Sequence, residues 1–162
     1  MSKVLIPGSF DPLTLGHIEI VKRCSLIFDQ VVVLVGFNEQ KKGFLEPCKR
    51  VEFARDAFKS MPNVTVDMDS GLIVDYAHEN NIDIIVKGIR NEEDLAYESE
   101  MAYVNNDISF DKYGKVIETL FMNTHPEYYH YSSSLVRKLL ALGLPVGKYI
   151  HNEHLLFKLI NE

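Results

Sequence analysis

The sequence predicts an α/β fold in which helices cover both faces of a doubly wound, parallel five-stranded sheet. Helix-type and strand-type hydrophobic patterns alternate along the chain, which is typical of a parallel sheet with crossover helices. The apolar runs at 31–35 and 82–86 are nearly continuous and rich in β-branched residues, as expected for central strands buried on both faces. These observations favour one domain that spans residues 1–162.

Turn and capping residues mark the first three strand–helix units. Gly8 ends the first apolar run, and Thr14 can cap the free N–H groups of the helix after it. Pro47 suits the first turn of the second helix, whose apolar residues recur at helical spacing. The predicted elements are strands at 3–9, 31–37 and 63–68 and helices at 15–28, 47–60 and 72–80.

The second half of the chain continues this alternation. We predict strands at 82–87 and 116–122 and helices at 92–104, 133–142 and 153–161. The segment from Asn105 to Lys115 is polar and contains Asp107, Asp111 and Gly114, so we predict a surface loop before the last strand.

Composition limits the classes of function that this chain can serve. With 162 residues and 46% apolar content, the chain can form one globular core. A net charge of −6 argues against a general nucleic-acid binder, whereas a small anionic substrate stays compatible. No leader-like segment and no apolar run near ~18 residues is present, so we expect a cytoplasmic protein without a membrane partner. Cys24 and Cys48 lack metal-type spacing and are expected to be free thiols.

The candidate site lies beyond the carboxyl ends of the predicted strands, where doubly wound sheets bind ligands. Ser9 and the pairs at 37–38 and 87–88 all fall at such ends. The turn after the first strand opens a helix whose N-terminus attracts phosphate, and His17 lies in the first helical turn, within reach of such a phosphate. The plainer alternative is a capped turn whose histidine is a solvated surface residue.

The segment Ser-Phe-Asp-Pro-Leu-Thr-Leu-Gly-His at 9–17 resembles the signature of the nucleotidyltransferase superfamily marked by a His-x-Gly-His element, in the form with threonine at the first histidine position. That form is typical of bacterial phosphopantetheine adenylyltransferases. Segments at 86–94 and 128–137 resemble further motifs of this family in the same order. The resemblance implies a Rossmann-like nucleotidyltransferase fold. It also implies reversible transfer of an adenylyl group from ATP to 4'-phosphopantetheine, which gives dephospho-coenzyme A and pyrophosphate in coenzyme A biosynthesis.

Adenylyl transfer needs cations and hydroxyls more than a protein nucleophile, because the acceptor phosphate is already nucleophilic at neutral pH. The resemblance implies that His17, Lys41 and Arg90 are the catalytic residues. Each of them alone is more simply a solvated surface group. Their recurrence beyond the strand ends favours a common site.

The resemblance also implies which residues bind the substrates. Lys87 stands where the family usually has arginine, so it would hold the acceptor phosphate as a point charge instead of a fork. Three serines at 132–134 serve first as a helix cap, and a cap needs only one of them. The implied ATP contacts are Ser9, Phe10, His17, Gly88, Ile89, Arg90, Glu98, Tyr128, Tyr131, Ser132, Ser133 and Ser134. The implied phosphopantetheine contacts are Ser9, Lys41, Leu72, Ile73, Lys87, Met101, Val104 and Asn105.

The same resemblance implies Mg²⁺ carried on the ATP phosphates, no metal bound by the protein itself, and a homo-oligomer, commonly a hexamer. His151 and His154 have a spacing that some zinc sites use, but they lack a convincing third ligand. The nearest rival function is a sister transferase that acts on another acceptor, such as nicotinamide mononucleotide or glycerol phosphate. From a different class, the alternative is a flavodoxin-like module that binds a nucleotide or flavin without chemistry.

Overall fold

The computed structural model describes residues 1–162 and contains five strands and six α-helices. The strands are β1 (Lys3–Gly8), β2 (Gln30–Gly36), β3 (Val64–Asp69), β4 (Ile84–Ile89) and β5 (Glu118–Asn123). The helices are α1 (Leu15–Ile27), α2 (Pro47–Phe58), α3 (Ile73–Glu79), α4 (Glu92–Tyr113), α5 (Ser133–Ala141) and α6 (Glu153–Asn161). A single 3₁₀ turn at Pro126–Tyr128 precedes α5. The predicted α/β architecture is confirmed.

All five strands are parallel and form one sheet in the order β3-β2-β1-β4-β5. The central strand β1 pairs with β2 on one side, where Val4 lies opposite Val31. On its other side it pairs with β4, where Val4 lies opposite Ile84. The winding of the chain reverses beside β1, so a crevice opens at the carboxyl ends of β1 and β4.

The two faces of the sheet carry unequal cores. One face forms a cluster of 23 buried residues, to which α2 contributes Phe53 and α6 contributes Leu156. The opposite face forms a cluster of 8 buried residues that includes Val74 and Ala77 of α3. The larger core also buries Val21 of α1 and Val136 of α5. Of the helices whose N-termini border the crevice, α1 and α5 are thus packed firmly against the sheet.

The predicted surface loop at 105–115 is wrong, because α4 continues to Tyr113. Ile108 packs against the smaller core, and the hydroxyl of the buried Ser109 donates to a backbone carbonyl at 2.8 Å. Gly114 then ends the helix in the left-handed conformation, with φ 64°. The polar residues that suggested a loop instead form the exposed face of this helix.

Two expectations from composition concerned membrane spans and the state of the two cysteines. No helix is both long enough and apolar enough to cross a membrane. Both cysteines are free, as predicted, with Cys24 buried and Cys48 exposed. Burial raises the pKa of the Cys24 thiol to about 11, which keeps the thiol protonated at neutral pH.

Candidate active site

A cavity of about 340 Å³ opens at the carboxyl ends of β1 and β4. It is bordered by the turn after β1, the first turn of α1, the end of β4, and the starts of α4 and α5. Most of the residues predicted to bind ATP line its walls: Ser9, Phe10, His17, Gly88, Arg90, Glu98, Tyr131, Ser132, Ser133 and Ser134. The fold therefore brings together three motifs that are far apart in the sequence.

A second cavity, of about 220 Å³, adjoins the first on the β2 side of the sheet. It is lined by Ile73, by Lys87 and by the ends of β2 and β3. Ser9 and Lys87 border both cavities. The two cavities therefore meet at a hydroxyl and an ammonium group, an arrangement that suits two ligands whose phosphates face each other.

Five residues predicted to bind phosphopantetheine line neither cavity: Lys41, Leu72, Met101, Val104 and Asn105. Lys41 is exposed in the turn after β2, and Leu72, just before α3, is 48% exposed. The other three lie on α4 beyond Glu98, which is the last residue of that helix to border the first cavity. The structure thus brings the start of α4 to the cavities, but not its middle.

Two residues predicted to bind ATP, Ile89 and Tyr128, do not line the cavity. Ile89 is 6% exposed at the end of β4 and packs in the sheet. Tyr128 lies in the 3₁₀ turn and meets Tyr131 edge to face, with ring centroids 5.2 Å apart. Tyr128 therefore supports the cavity through Tyr131, which itself lines the wall.

His17 is held by the capping arrangement at the start of α1. The Thr14 hydroxyl accepts from the backbone N–H of His17 at 3.5 Å, and the Thr14 backbone N–H donates to Nδ1 of His17 at 3.0 Å. The ring also meets Phe10 edge to face, with centroids 5.2 Å apart. Because Nδ1 accepts a hydrogen bond, the proton of a neutral imidazole resides on Nε2, and Nε2 becomes a fixed donor.

Burial, and after it the positive charge of Arg90, lowers the pKa of His17 to about 4. The imidazole is therefore neutral at pH 7. A neutral donor can stabilise charge that develops on a phosphate oxygen without first releasing a proton of its own.

This pKa gives a stability prediction. Between pH 6.5 and about 4, the unfolded chain protonates His17 and the folded chain does not, so the free energy of unfolding should fall as the pH falls through this window. His17→Gln should remove up to about 1.4 kcal/mol per pH unit of that slope. Urea unfolding at several pH values measures the slope. His154→Gln, at an exposed position on α6, is the control and should leave the slope unchanged.

The pKa of His151 is also lowered, chiefly by burial, so its titration adds to the slope in the same direction. That contribution is common to the wild type and to both variants, and it cancels in the comparison. Equal slopes for the wild type and His17→Gln would contradict the lowered pKa of His17.

Arg90 is oriented by a carboxylate that follows it on α4. Its Nε donates to Oδ2 of Asp94 at 2.8 Å, and Nη2 donates to Oδ1 at 3.2 Å. Burial acts to raise the pKa of Asp94, but hydrogen bonds and charge from Arg90 outweigh it and lower the pKa. Asp94 stays ionised, and its own N–H is capped by Asn91 at 2.8 Å. The guanidinium fork of Arg90 is thus preorganised at the cavity wall.

Lys87 lies between the two cavities and pairs with Glu98. Its Nζ is 3.3 Å from Oε2 of Glu98, and the two side chains are 19% and 21% exposed. The carboxylate keeps the ammonium group near the boundary where the cavities meet. A ligand phosphate at this boundary would share Lys87 with Glu98.

The serines at the start of α5 have three different environments. Ser132 is the cap, because its Oγ accepts from the N–H of Leu135 at 3.1 Å. Ser133 donates to the carbonyl of Pro12 at 2.8 Å and so ties α5 to the turn after β1. Ser134 is exposed at the cavity wall. Only one serine serves the cap, and the N-terminus of α5 faces the cavity as an anion-binding end.

Sequence reasoning missed two charged residues of the first cavity, Asp94 and Arg137. Both lie within the motif segments at 86–94 and 128–137, but neither was assigned a contact. Nη1 of Arg137 donates to the carbonyl of Asp11 at 2.6 Å, and Nη2 donates to Oγ of Ser134 at 3.2 Å. The available signal was their membership of these motif segments, and for Arg137 also its spacing, because Ser134 and Arg137 are three residues apart and share a helix face.

Sequence reasoning also missed part of the second cavity. The unpredicted residues are Leu34, Gly36, Asp69 and Gly71. They lie at or just beyond the carboxyl ends of β2 and β3, so the general rule for doubly wound sheets could have identified them. Asp69 accepts from the N–H of Gly71 at 2.8 Å, which shapes the turn into α3.

The sheet order and the grouping of basic and hydroxyl side chains at the β1–β4 crevice are those expected of a nucleotidyltransferase. In agreement, a family model described as cytidylyltransferase-like matches residues 5–139. The chain belongs to the phosphopantetheine adenylyltransferase family, as relatives of that name in several bacteria indicate.

The relative from Symbiobacterium thermophilum is 43% identical over 145 residues, which is 90% of this chain and 86% of that protein. The relative from Caldanaerobacter subterraneus subsp. tengcongensis is 39% identical over 150 residues, which is 93% of this chain and 91% of that protein. The predicted resemblance is confirmed by these matches.

Solved structures are similar in fold. A putative nicotinate-nucleotide adenylyltransferase from Vibrio parahaemolyticus aligns over 100% of this chain and 97% of its own, with a TM-score of 0.66 and 20% identity. A lipopolysaccharide core biosynthesis protein from Thermoplasma volcanium aligns over 77% of this chain and 98% of its own, with a TM-score of 0.56 and 22% identity. At these identities the matches establish the Rossmann-like fold alone.

Proposed function

We propose that this chain, as a single domain over residues 1–162, transfers an adenylyl group from ATP to 4'-phosphopantetheine and releases pyrophosphate. The product, dephospho-coenzyme A, belongs to coenzyme A biosynthesis, and the reaction is reversible. The observation that carries this proposal is the meeting of two cavities at Ser9 and Lys87. An acceptor phosphate in the second cavity would lie beside the α-phosphate of ATP in the first, as an in-line transfer requires.

The first cavity supplies the groups that ATP needs. Nε2–H of His17 would donate to an oxygen of the α-phosphate, where charge develops in the transition state. Arg90, fixed by Asp94, would bind the β- and γ-phosphates, which leave as pyrophosphate. The serines at the start of α5 would bind the triphosphate from the opposite side.

The second cavity would bind the acceptor, phosphopantetheine. Ser9 and Lys87 would hold the phosphate of phosphopantetheine, and Ile73 would pack against its pantetheine arm. We propose that Lys41 contacts the phosphates of both substrates by movement of its exposed turn. The exposed Leu72 would extend the apolar wall formed by Ile73. Met101 and Val104, together with the polar Asn105, lie beyond the cavities on α4 and would contact only the part of the arm that extends past them.

We propose that Mg²⁺ enters this site on the ATP phosphates. The donor chemistry of the first cavity fits this arrangement, because its two carboxylates are already paired, Asp94 with Arg90 and Glu98 with Lys87. Phosphate oxygens and water are then the ligands left for the metal. Mg²⁺ bound in this way neutralises part of the triphosphate charge.

A homo-oligomer, specifically a hexamer, and a cytoplasmic location complete the proposal. The smaller core leaves apolar side chains exposed on α4 and β5, and an oligomer would cover such a patch. These residues are Leu95, Tyr97, Tyr103, Val104, Phe110, Leu120 and Phe121.

Pyrophosphate release across a panel of phosphorylated acceptors tests the proposed activity. We expect release with ATP and 4'-phosphopantetheine and none with the other two acceptors. Nicotinamide mononucleotide has a wide polar base that the apolar Ile73 does not suit, and glycerol phosphate lacks an arm that could pack against Ile73. Release with either of the latter acceptors would favour a sister transferase. Isolated protein that carries a flavin and releases no pyrophosphate with any acceptor would favour the binding module.

A second experiment tests Lys87. We expect Lys87→Ala to raise the KM for phosphopantetheine about tenfold or more and the KM for ATP less, because Lys87 faces the acceptor phosphate and its loss leaves Glu98 unpaired there. Steady-state kinetics with each substrate varied in turn measures both constants.

Lys22→Ala, at an exposed position on α1, is the matched control and should change neither constant. Lys87→Arg restores the residue usual in the family and should keep the acceptor KM low. If Lys87→Ala has an unchanged acceptor KM and an unchanged turnover, Lys87 does not bind the acceptor phosphate and serves only as a partner of Glu98.

A further inference from the structure

A buried ion pair lies next to the two cavities without lining either of them. Nε of Arg50 on α2 is 3.3 Å from Oδ1 of Asp11 in the turn after β1. Asp11 is 8% exposed and Arg50 is 5% exposed. A buried pair of this kind is weak as a source of stability, because the desolvation of both charges offsets their attraction. Its contacts therefore need another explanation.

The pair joins the turn after β1 to the segment that follows Lys41. The Asp11 carboxylate accepts from the N–H of Phe44 at 2.7 Å and from the N–H of Leu45 at 2.8 Å. Arg50 donates through Nε to the carbonyl of Leu45 at 2.8 Å. Two backbone donors and one backbone acceptor of this segment are thus bound by a single ion pair.

The same pair also reaches the phosphate-binding turn itself. Nη1 of Arg50 donates to the carbonyl of Ser9 at 3.4 Å, and the carbonyl of Asp11 accepts from Arg137 at 2.6 Å. Gly43 leaves room for the guanidinium, since a Cβ there would overlap Arg50. The side chains of the pair therefore fix two segments against each other, the turn with Ser9 and the end of the Lys41 turn, while the backbone of Asp11 is held by Arg137 of α5.

We propose that Asp11 and Arg50 are positioning residues. They hold the Lys41 turn at a fixed position relative to the Ser9 turn, so that Lys41 and Ser9 can contact the same phosphate. The anchor acts at the base of the exposed turn, which spans the residues between β2 and Phe44. Because the end of the turn is fixed at Phe44 and Leu45, Lys41 at its tip can move while its side chain stays within reach of the boundary between the cavities. The anchoring itself follows from the contacts, whereas its effect on turnover rests on the proposed function.

The anchoring is tested by limited trypsin digestion under native conditions, because trypsin cleaves after Lys41 and Lys42. Asp11→Asn removes the charge and turns an NH₂ group toward one of the two backbone donors. We expect cleavage at these two lysines to become about tenfold faster or more, since proteolysis follows the population of the opened turn. Mass spectrometry of the early fragments assigns the cut site.

Asp56→Asn, on α2 together with Arg50, is the matched control. The Asp56 carboxylate accepts a hydrogen bond from the side-chain amide of Asn152 at 3.0 Å and pairs with Lys59 at 2.9 Å. It makes no contact with the Lys41 turn. It should cost stability without exposing the two lysines. Cleavage of Asp11→Asn no faster than that of Asp56→Asn would overturn the proposal. If Asp11→Asn does not fold, Arg50→Lys, which keeps the charge but loses the fork, replaces it with the same expected result.

A double-mutant cycle tests the effect on chemistry. In the wild-type background, Lys41→Ala should lower kcat and raise the acceptor KM. In the Asp11→Asn background it should lose much less, because the turn no longer holds Lys41 toward the phosphate. If Lys41→Ala has the same fold-effect on kcat and KM in both backgrounds, at temperatures where both variants are folded, the two residues act independently. That result would overturn the positioning role and leave Asp11 a structural residue.

The two failures are distinguishable. If Lys41→Ala has wild-type kinetics in the wild-type background, the proposed role of Lys41 fails, and so does the effect of the anchor on turnover. Fast cleavage of Asp11→Asn at Lys41 would still support the anchoring in that case.

Discussion

We expect His17→Ala to lower kcat about 100-fold or more while it changes the KM for ATP much less. Nδ1 of His17 is bound by the Thr14 backbone N–H, so Nε2 is the only ring donor left for substrate. A donor that is fixed before the reaction contributes mainly where charge increases, which is in the transition state. Single-turnover and steady-state rates with both substrates saturating measure the loss.

Two controls separate this effect from a loss of structure. His17 completes a capping box, so its removal should also lower stability by about 1 kcal/mol. His154→Ala, at an exposed position, should change neither stability nor turnover. A folded His17→Ala enzyme with turnover near that of the wild type would remove His17 from the catalytic group.

Local sequence patterns were sufficient to predict the sheet and most helices. Apolar runs that are covered on both faces have few alternatives to buried parallel strands, and caps such as Thr14 and Ser132 mark helix starts through hydrogen bonds to nearby N–H groups. The error in α4 arose because, in its second half, Ile108 packs against a core while Tyr103, Val104 and Phe110 are exposed among polar residues, so no clear apolar stripe marks the helix. Only the tertiary position of the helix over the smaller core reveals that contact.

Continuous sequence motifs were sufficient to predict most residues of the candidate site. Roles that depend on contacts formed only in the folded chain were not predicted. His17, Arg90 and the three serines belong to continuous motifs, and the structure brings them to one cavity. Arg137 and Asp94 belong to the same motif segments and line the same cavity, but they were not assigned, because their partners come from a distant turn or from one helical turn away. The predicted wall along α4 assumed that the helix runs beside the cavity, whereas only its first two turns do so.

We expect Ile73→Asp to raise the KM for phosphopantetheine about 30-fold or more, equivalent to about 2 kcal/mol, and to leave the KM for ATP nearly unchanged. Ile73 lines the second cavity and not the first. A carboxylate there would place an unpaired charge against the pantetheine arm. Residue 73 is the first position of α3, which tolerates a carboxylate, but Ile73 also packs against the smaller core, so circular dichroism must show that the variant is folded before its kinetics are compared.

Two matched variants show which side chains form the acceptor wall. Ile27→Asp makes the same change at an isoleucine that is 64% exposed at the end of α1, and it should alter neither KM. Leu72→Asp places the charge one residue away at a position that is 48% exposed, so its effect on the acceptor KM should be smaller than that of Ile73→Asp. If Ile73→Asp is folded and binds phosphopantetheine as the wild type does, the second cavity is not the pantetheine site. Equal use of nicotinamide mononucleotide by the wild type would then assign the chain to a sister transferase, because the sister enzymes share the ATP half and differ in the acceptor half.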